Sequence, residues 1–187
     1  DPSALAQLVT EGELGQRIQS EHVVRIHDIQ SIETPESQVN YLVMELVKGR
    51  NLREVVQESG SVVEDLARRI GLLAARGLRA VHRMGLVHRD IKPENLALTD
   101  AGTVKLMDLG LARKTTGQLG DTVGSGFFGS LSYAAPEVLR GEPATPSSDL
   151  YSLGVVLFEV VTGVHPFATE NNDPDQIIQA HLHDAPP

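Results

Sequence analysis

The chain has 187 residues, of which 41% are hydrophobic and 22% charged, and this balance is sufficient for the core of one globular domain. The chain contains 25 Asp and Glu and 16 Lys and Arg, so its net charge is −9. We therefore expect neither a nucleic-acid-binding face nor a cationic surface for anionic lipid. The absence of cysteine excludes disulfide scaffolds, thiol nucleophiles and cysteine-ligated zinc or iron–sulfur sites.

The first quarter of the chain predicts one helix and two strands. Apolar residues recur at roughly helical spacing over residues 4–18, although Gly12 and Gly15 weaken the pattern. Residues 23–29 and 39–47 are rich in Val, Ile, Leu and Tyr, and a polar, proline-containing stretch separates them. We therefore predict an antiparallel strand pair that ends where residues 48–51 break the pattern.

The rest of the chain is predicted to be mainly helical. An apolar stripe predicts a helix from Ser61 to Met84, with Ser61 and Glu64 at capping-box spacing and Gly85 as the stop. A short hairpin is predicted over residues 96–107 and a Gly-, Ser- and Thr-rich loop over 113–130. Residues 149–162 predict a helix that is apolar almost all round and too short to span a membrane, so we interpret it as a buried core helix; a last helix is predicted over 175–183.

One octapeptide, residues 88–95 (His-Arg-Asp-Ile-Lys-Pro-Glu-Asn), concentrates the candidate chemistry. It offers a carboxylate base at Asp90, a cation at Lys92 and an amide oxygen at Asn95, and it follows the long predicted helix. Since the predicted hairpin returns the chain, Asp108 at its end is expected close to Asn95. Oxygen ligands beside a base and a lysine are typical of a site for a hard cation that bridges phosphates.

These residues resemble the eukaryotic-type Ser/Thr protein kinase family. Residues 88–95 match the family's catalytic loop, 108–110 its metal-binding motif, 135–137 its Ala-Pro-Glu motif, and 41–47 the strand that enters the hinge. The resemblance implies an α+β fold, with a remnant of the small lobe in residues 1–47 and a mostly helical large lobe in 48–187.

The resemblance also implies roles for individual residues. Asp90 would accept or orient the proton of the substrate hydroxyl, Lys92 would neutralise the transferring phosphoryl group, and Asn95 and Asp108 would hold Mg²⁺ or Mn²⁺. Phosphoryl transfer requires positioning and charge neutralisation more than covalent help, so these residue types suffice.

ATP is the co-substrate that the resemblance implies. Met44 would be the gatekeeper and Ala97 the floor of the adenine pocket, while backbone groups of Glu45 and Val47 would meet adenine. Either Asn51 or the carbonyl of Glu94 would meet ribose. Glu11, with Glu13 as second choice, has the spacing of the helix glutamate that pairs with a strand lysine in the family.

Other features of the family are missing or ambiguous. Residues 1–47 contain no lysine, and the Gly-x-Gly-x-x-Gly match at 124–129 follows the metal aspartate, so we interpret it as part of a loop and not as a phosphate cradle. We expect the chain to lack the family's first strands and last helices, to be inactive or very weak alone, and to leave Glu137 without its arginine partner. Arg89 would pair with a phosphorylated residue of the loop, with candidates at Thr115, Thr116, Thr122 and Ser125.

The sequence therefore predicts a Ser/Thr protein kinase domain that phosphorylates protein substrates in the cytoplasm, with no nucleic-acid or direct membrane partner, although its parent protein could be membrane-tethered. A catalytically silent pseudokinase or scaffold is the alternative. A small-molecule phosphotransferase is disfavoured because residues 129–137 resemble the protein-substrate segment of the family.

Overall fold

The computed structural model describes residues 12–33, 38–109, 113–114, 131–169, 173–185 and 187. Three groups of sequence expectations lie outside these residues: Glu11, the glycine-rich stretch 124–129, and the candidate phosphorylation sites at 115, 116, 122 and 125. The described residues form a mixed arrangement of helices and antiparallel strands, in agreement with the predicted α+β class.

The first part of the described chain is a short helix packed on a two-stranded sheet. Helix α1 covers residues 12–16, and strands β1 (Ile26–Glu33) and β2 (Gln38–Met44) pair antiparallel. A Cβ atom on Gly12 would lie 2.5 Å from the side chain of Ile29, and one on Gly15 would lie 2.3 Å from that of Ile26. The glycines that weaken the helical pattern therefore let α1 approach the sheet closely.

A short strand and a helix follow that the sequence did not predict. Strand β3 (Gly49–Asn51) leads directly into helix α2 (Leu52–Ser59), which starts with a reciprocal capping box between Asn51 and Glu54. Strand β3 pairs antiparallel with β5 (Leu96–Thr99), which pairs in turn with β6 (Val104–Leu106). This three-stranded sheet contains the predicted hairpin.

Two long helices form the main core. Helices α3 (Glu64–Arg83) and α5 (Pro146–Thr162) pack against each other, and α3 also contacts strand β6. The interior is closed by aliphatic side chains, among them Leu52, Ile70, Leu78, Leu106, Val156 and Val160. Both helices were predicted from their apolar patterns, but the nearly all-round apolar helix α5 is buried along one face only, since Leu150 and Val161 are exposed.

Helix α3 starts later than predicted. It begins at Glu64 with Val63 as its N-cap, and no side chain caps it, so the expected box of Ser61 and Glu64 is wrong. The reason is tertiary, because the Val62 N–H donates to the Val160 carbonyl at 2.9 Å and draws residues 60–62 along the end of α5. Helix α5, in contrast, starts three residues before its predicted start, with a box between Thr145 and Ser148.

The remaining elements are short. Strand β4 (Leu86–Val87) pairs with β7 (Arg113–Lys114), and a single 3-10 turn covers Pro93–Asn95. Helix α4 covers Pro136–Leu139, and helix α6 covers Pro174–His183, close to its predicted bounds. None of the helices in the described part of the chain has the length and apolar character that crossing a membrane requires.

Candidate functional site

The octapeptide lies between the long helix α3 and the three-stranded sheet. Along the chain, strand β4 follows α3 and precedes the octapeptide, and the 3-10 turn at Pro93–Asn95 leads into β5. His88 is completely buried, while Asp90 and Asn95 are 6% and 7% exposed. A loop whose polar side chains are buried needs partners for each of them, and these partners define the geometry of the site.

Asp149, in the first turn of α5, holds the backbone of this loop. Its Oδ2 accepts from the His88 N–H and its Oδ1 from the Arg89 N–H, both at 2.9 Å, and His82 Nε2 lies 2.7 Å from Oδ2. Arg89 has φ 70°, a region that costs a non-glycine residue energy, so the two bonds retain the backbone in a strained conformation. The sequence did not predict this role; the signal was an aspartate inside an otherwise apolar helix.

Asp90 is held by two neighbours from the same loop. Asn95 Nδ2 donates to the Asp90 main-chain carbonyl at 2.9 Å and to its Oδ2 at 2.8 Å, and Lys92 Nζ lies 2.8 Å from the same Oδ2. The other carboxylate oxygen, Oδ1, is buried and has no hydrogen-bond partner among the described residues. A buried acceptor left without a donor is costly in a folded protein, and such an atom is typical of a site that is completed by a ligand.

The orientation of the Asn95 amide follows from the same contacts. Since both acceptors contact Nδ2, the amide oxygen Oδ1 must point the other way. The Asn95 carbonyl accepts from the Met107 N–H at 2.8 Å, and His88 Nε2 lies 3.0 Å from the Met107 carbonyl. Two main-chain anchors thus fix the residue directly before Asp108, which itself has φ 51° and an exposed side chain.

The donor set at this place fits a hard divalent cation. The amide oxygen of Asn95 and the carboxylate of Asp108 are oxygen donors of the kind that Mg²⁺ takes, since this ion uses only one or two protein carboxylates and retains several waters. No group of three or more His, Cys, Asp or Glu that could hold a metal ion occurs among the residues that the structure covers.

Of the residues expected around adenine, Glu45 and Val47 lie between β2 and α2, Met44 ends β2, and Ala97 lies in β5. Met44 is 41% exposed at the end of β2, and Ala97 is buried in β5. The Glu45 N–H donates to the Arg25 carbonyl at 2.9 Å. Burial opposes ionisation of the Glu45 carboxylate, but its bond to Lys105 Nζ at 2.7 Å, the bond from the Arg25 N–H and both positive charges lower its pKa. Val47 lies two residues further on and is half-buried.

The two ribose candidates differ in what their side chains do. Asn51 Oδ1 accepts from the Glu54 N–H at 2.9 Å, so this oxygen is engaged as a helix cap. The side chain of Glu94 accepts from Arg53 Nε at 2.8 Å. The Glu94 candidate was its main-chain carbonyl, which this side-chain contact does not involve.

Arg53 is the centre of a charged network that the sequence did not predict. Besides Glu94 it donates to Glu159 Oε1 at 2.5 Å and to the Tyr133 hydroxyl, which in turn donates to Glu159 Oε2 at 2.6 Å. Burial and the bond to Glu159 raise the pKa of Tyr133 far above its ordinary value, so this hydroxyl stays protonated. The network joins four parts of the chain: α2, the octapeptide at Glu94, the stretch before α4 at Tyr133, and α5.

Glu137 has a local partner. The Ser148 hydroxyl, from the first turn of α5, donates to Glu137 Oε1 at 2.5 Å. We expected Glu137 to lack the arginine that pairs with this glutamate in the family; within the described residues, the Ser148 hydroxyl contacts it. This bond ties helix α4 to the start of the buried helix.

Comparison with known proteins agrees with this geometry. The Protein kinase domain family matches residues 1–185. A protein of Corynebacterium efficiens named as a serine/threonine-protein kinase is 37% identical over 184 residues, which is 98% of this chain and 35% of that protein. The probable serine/threonine-protein kinase PknB of Corynebacterium glutamicum is 36% identical over 187 residues, 100% of this chain and 29% of that protein.

A more distant relative covers the same region. The serine/threonine-protein kinase PknB of Mycobacterium leprae is 32% identical over 186 residues, or 100% of this chain and 30% of that protein. The chain therefore spans about a third of the length of these curated relatives.

Proposed function

The chain belongs to the protein kinase domain family, and on that premise we propose that it transfers the γ-phosphoryl group of ATP to serine or threonine hydroxyls of proteins. The observation that carries this proposal is the state of Asp90. One carboxylate oxygen is fixed by Asn95 and Lys92, and the other is buried without a partner among the described residues. A substrate hydroxyl is the kind of donor that would satisfy it.

In this reaction the hydroxyl oxygen forms a bond to the γ-phosphorus while the bond from that phosphorus to the β–γ bridging oxygen breaks, and ADP leaves. Asp90 Oδ1 accepts the hydroxyl proton. Because Asn95 and Lys92 hold Oδ2, the carboxylate cannot rotate freely, so Oδ1 keeps one direction. Lys92 supplies positive charge beside the transferred group.

The family uses ATP and a divalent metal. We propose that Asn95 Oδ1 and the Asp108 carboxylate hold Mg²⁺, or Mn²⁺ in its place, and that the metal neutralises phosphate charge when bound. Two contacts support this proposal: the clamp of Asp149 on the His88 and Arg89 N–H groups, and the bond from the Met107 N–H to the Asn95 carbonyl, which holds the residue before Asp108 against Asn95.

The nucleotide would lie against the segment between β2 and α2. We propose that the carbonyl of Glu45 and the N–H of Val47 meet adenine, that Ala97 forms its floor beside Met44, and that the Glu94 carbonyl, and not the capping oxygen of Asn51, meets ribose. Glu11 would orient the strand lysine of the family, which residues 1–47 of this chain do not contain. We assign these functions to a small-lobe part, residues 1–47, and a large-lobe part, residues 48–187.

The partners follow from the chemistry. The substrate is a protein, the co-substrate is ATP, and the site of action is the cytoplasm, where ATP is available. The net charge of −9 disfavours a nucleic acid as partner. We propose no direct membrane contact by this segment.

The experiment compares Asp90→Asn with Asp100→Asn in the full-length protein. Asp100 is an exposed aspartate in the turn of the adjacent hairpin and serves as the matched control. Transfer of radiolabelled phosphate from Mg-ATP to dephosphorylated casein should fall by about a thousandfold or more in Asp90→Asn, as expected for the loss of a catalytic base, and stay unchanged in the control.

Nucleotide binding should distinguish catalysis from folding. Calorimetry with Mg-ADP should give similar affinities for Asp90→Asn and the wild type. Retained transfer in Asp90→Asn would refute the role of Asp90. Absence of transfer by the wild type itself, with nucleotide binding intact, would favour the alternative of a pseudokinase scaffold.

A further inference from the structure

The main chain before Tyr133 is fixed by two histidines. The carbonyl oxygen of Ser132 lies 2.8 Å from His165 Nε2 and 2.7 Å from His181 Nε2. A carbonyl oxygen only accepts hydrogen bonds, so each of the two nitrogens must carry a hydrogen. His165 follows the end of α5 and His181 lies in α6, so one carbonyl joins two separate elements.

The second nitrogen of each ring confirms which neutral form is present. His165 Nδ1 accepts from the Phe167 N–H at 3.2 Å. His181 Nδ1 lies 2.8 Å from the Tyr151 hydroxyl, which can donate to it. Both rings are therefore satisfied as neutral imidazoles with the hydrogen on Nε2. No protonated state is needed to explain any of the four contacts.

The surroundings keep both rings neutral. His181 is 3% exposed, and its ring centroid lies 4.3 Å from that of Phe167 and 5.7 Å from that of His165. Burial is the main cause that lowers the pKa of both histidines, to about 4 for His181. Tyr133 packs edge-on against His165 at 5.2 Å.

The charged groups nearby do not reverse this balance. Glu159 raises the pKa of His165 and Arg53 lowers it, both less than burial does, and His165 lowers that of His181. Tyr151 is the polar group of α5 that faces His181, and burial followed by the charge of Glu137 raises the pKa of its hydroxyl. The pair thus remains neutral around pH 7.

Ser132 and Tyr133 are held by two different sets of contacts. The two histidines hold the Ser132 carbonyl, and the Tyr133 hydroxyl belongs to the network of Arg53 and Glu159, which also reaches Glu94 in the catalytic segment. A displacement of the Ser132 carbonyl would therefore move Tyr133 relative to the catalytic segment. Hydrogen bonds to this carbonyl from His165, in the chain after α5, and from His181, in α6, restrict such a displacement.

We propose that His165 and His181 are positioning residues that hold residues 131–135 in the conformation against which the protein substrate docks. The proposal rests on the proposed function, since it concerns the substrate of that reaction. Neither histidine touches Asp90, Asn95 or Asp108 in any contact of the described residues, so their effect is expected on the binding of protein and not on the use of ATP.

The test uses three variants of His181 and its neighbour in the full-length protein. His181→Leu removes the donor and keeps an apolar side chain. His181→Gln keeps a side-chain N–H at similar reach and should restore the bond to Ser132. His183→Leu is the matched control, because His183 lies two residues later in the same helix and is exposed.

The expected result is a split between the two substrates. In His181→Leu the KM for casein should rise about tenfold, as the loss of one buried hydrogen bond predicts, with the KM for ATP unchanged. His181→Gln should recover most of this loss, and His183→Leu should behave as the wild type. Equal casein KM values in His181→Leu and His183→Leu, with an active wild type, would overturn the proposal.

A fourth variant, Tyr151→Phe, distinguishes the positioning role from a general effect on folding. Tyr151→Phe removes only the hydroxyl that contacts His181 Nδ1, and it should raise the casein KM by a few-fold at most, again without an effect on ATP. An increase of both KM values in Tyr151→Phe would show a general structural effect and contradict the positioning role. An inactive wild type would refute the proposed function itself, which is a different outcome.

Discussion

The side-chain nitrogen of Asn95 donates to two oxygens of Asp90, to the main-chain carbonyl at 2.9 Å and to the carboxylate at 2.8 Å. One residue therefore fixes the direction of the proposed base, and its amide oxygen is the proposed ligand of the metal. Asn95→Leu should lower transfer to casein by about a hundredfold or more and raise the Mg²⁺ concentration for half-maximal activity. Initial rates over a Mg²⁺ titration check both effects.

The control for this change is Asn40→Leu, at the half-buried Asn40 of strand β2, whose side-chain oxygen contacts the Ser31 hydroxyl. It should leave the Mg²⁺ dependence unchanged. An Asn95→Leu protein with a normal Mg²⁺ requirement would contradict the ligand role of Asn95.

Asp149 is expected to support both stability and activity. In Asp149→Asn one of the two oxygens that hold the His88 and Arg89 N–H groups is replaced by a donor. The buried N–H left without an acceptor should cost about 1–3 kcal/mol of the free energy of unfolding. The strained backbone at Arg89 should then relax, which lowers transfer.

Urea unfolding followed by circular dichroism measures the stability, with Asp175→Asn as control. Asp175 also lies in the first turn of a helix but is exposed. A difference of less than a few tenths of a kcal/mol between the two variants would argue against the clamp.

The network of Arg53 predicts a non-additive pair of substitutions. Arg53→Met leaves the carboxylate of Glu159, which is 7% exposed at its side chain, without its cation. Breaking a buried ion pair in this way costs about 3–5 kcal/mol. Since Arg53 itself is 26% exposed, the lower part of that range is expected.

Arg53→Met/Glu159→Gln removes the unpaired charge and should be more stable than Arg53→Met alone. A double-mutant cycle on the free energy of unfolding gives the coupling between the two residues. Additive effects of the two single substitutions would mean that the contact contributes nothing.

The pH dependence of stability follows from His181. Its pKa in the folded protein is about 4, below the ordinary 6.5, so the unfolded chain binds a proton there that the folded chain does not. The stabilisation is complete above pH 6.5 and is lost as the pH falls towards 4. The difference in pKa corresponds to a loss of about 3 kcal/mol at most.

His181→Gln has no titratable group at this position, so its free energy of unfolding should fall less between pH 7 and pH 4 than that of the wild type. The titratable groups that do not interact with His181 are common to both proteins and cancel in the comparison. Parallel stability curves over this interval would show that His181 titrates normally.

The sequence predicted those parts of the molecule in which the information is local. The helices α3 and α5 follow from apolar repeats within each helix, and the candidate catalytic loop was proposed from the eight consecutive residues 88–95. The N-terminus of α3 could not be predicted in the same way, because Val62 bonds to Val160 in a distant helix and displaces the apparent cap at Ser61.

The same distinction explains what was missed in the site. Asp149 contacts N–H groups 60 and 61 residues earlier in the chain, and Arg53 reaches Glu159 over 106 residues. Such partners have no spacing that a sequence pattern can reveal. In the sequence, Asp149 and Glu159 stood out only as charged residues in a largely apolar helix, and nothing indicated their partners.

The most direct measurement is the position of the metal in a crystal of the full-length protein with Mg²⁺ and a non-hydrolysable ATP analogue. The proposed function predicts Mg²⁺ within about 2.0–2.1 Å of Asn95 Oδ1 and of an Asp108 carboxylate oxygen, with the γ-phosphate facing Asp90 Oδ1. A metal–nucleotide complex bound elsewhere, with these three side chains directed away from it, would contradict the proposed function.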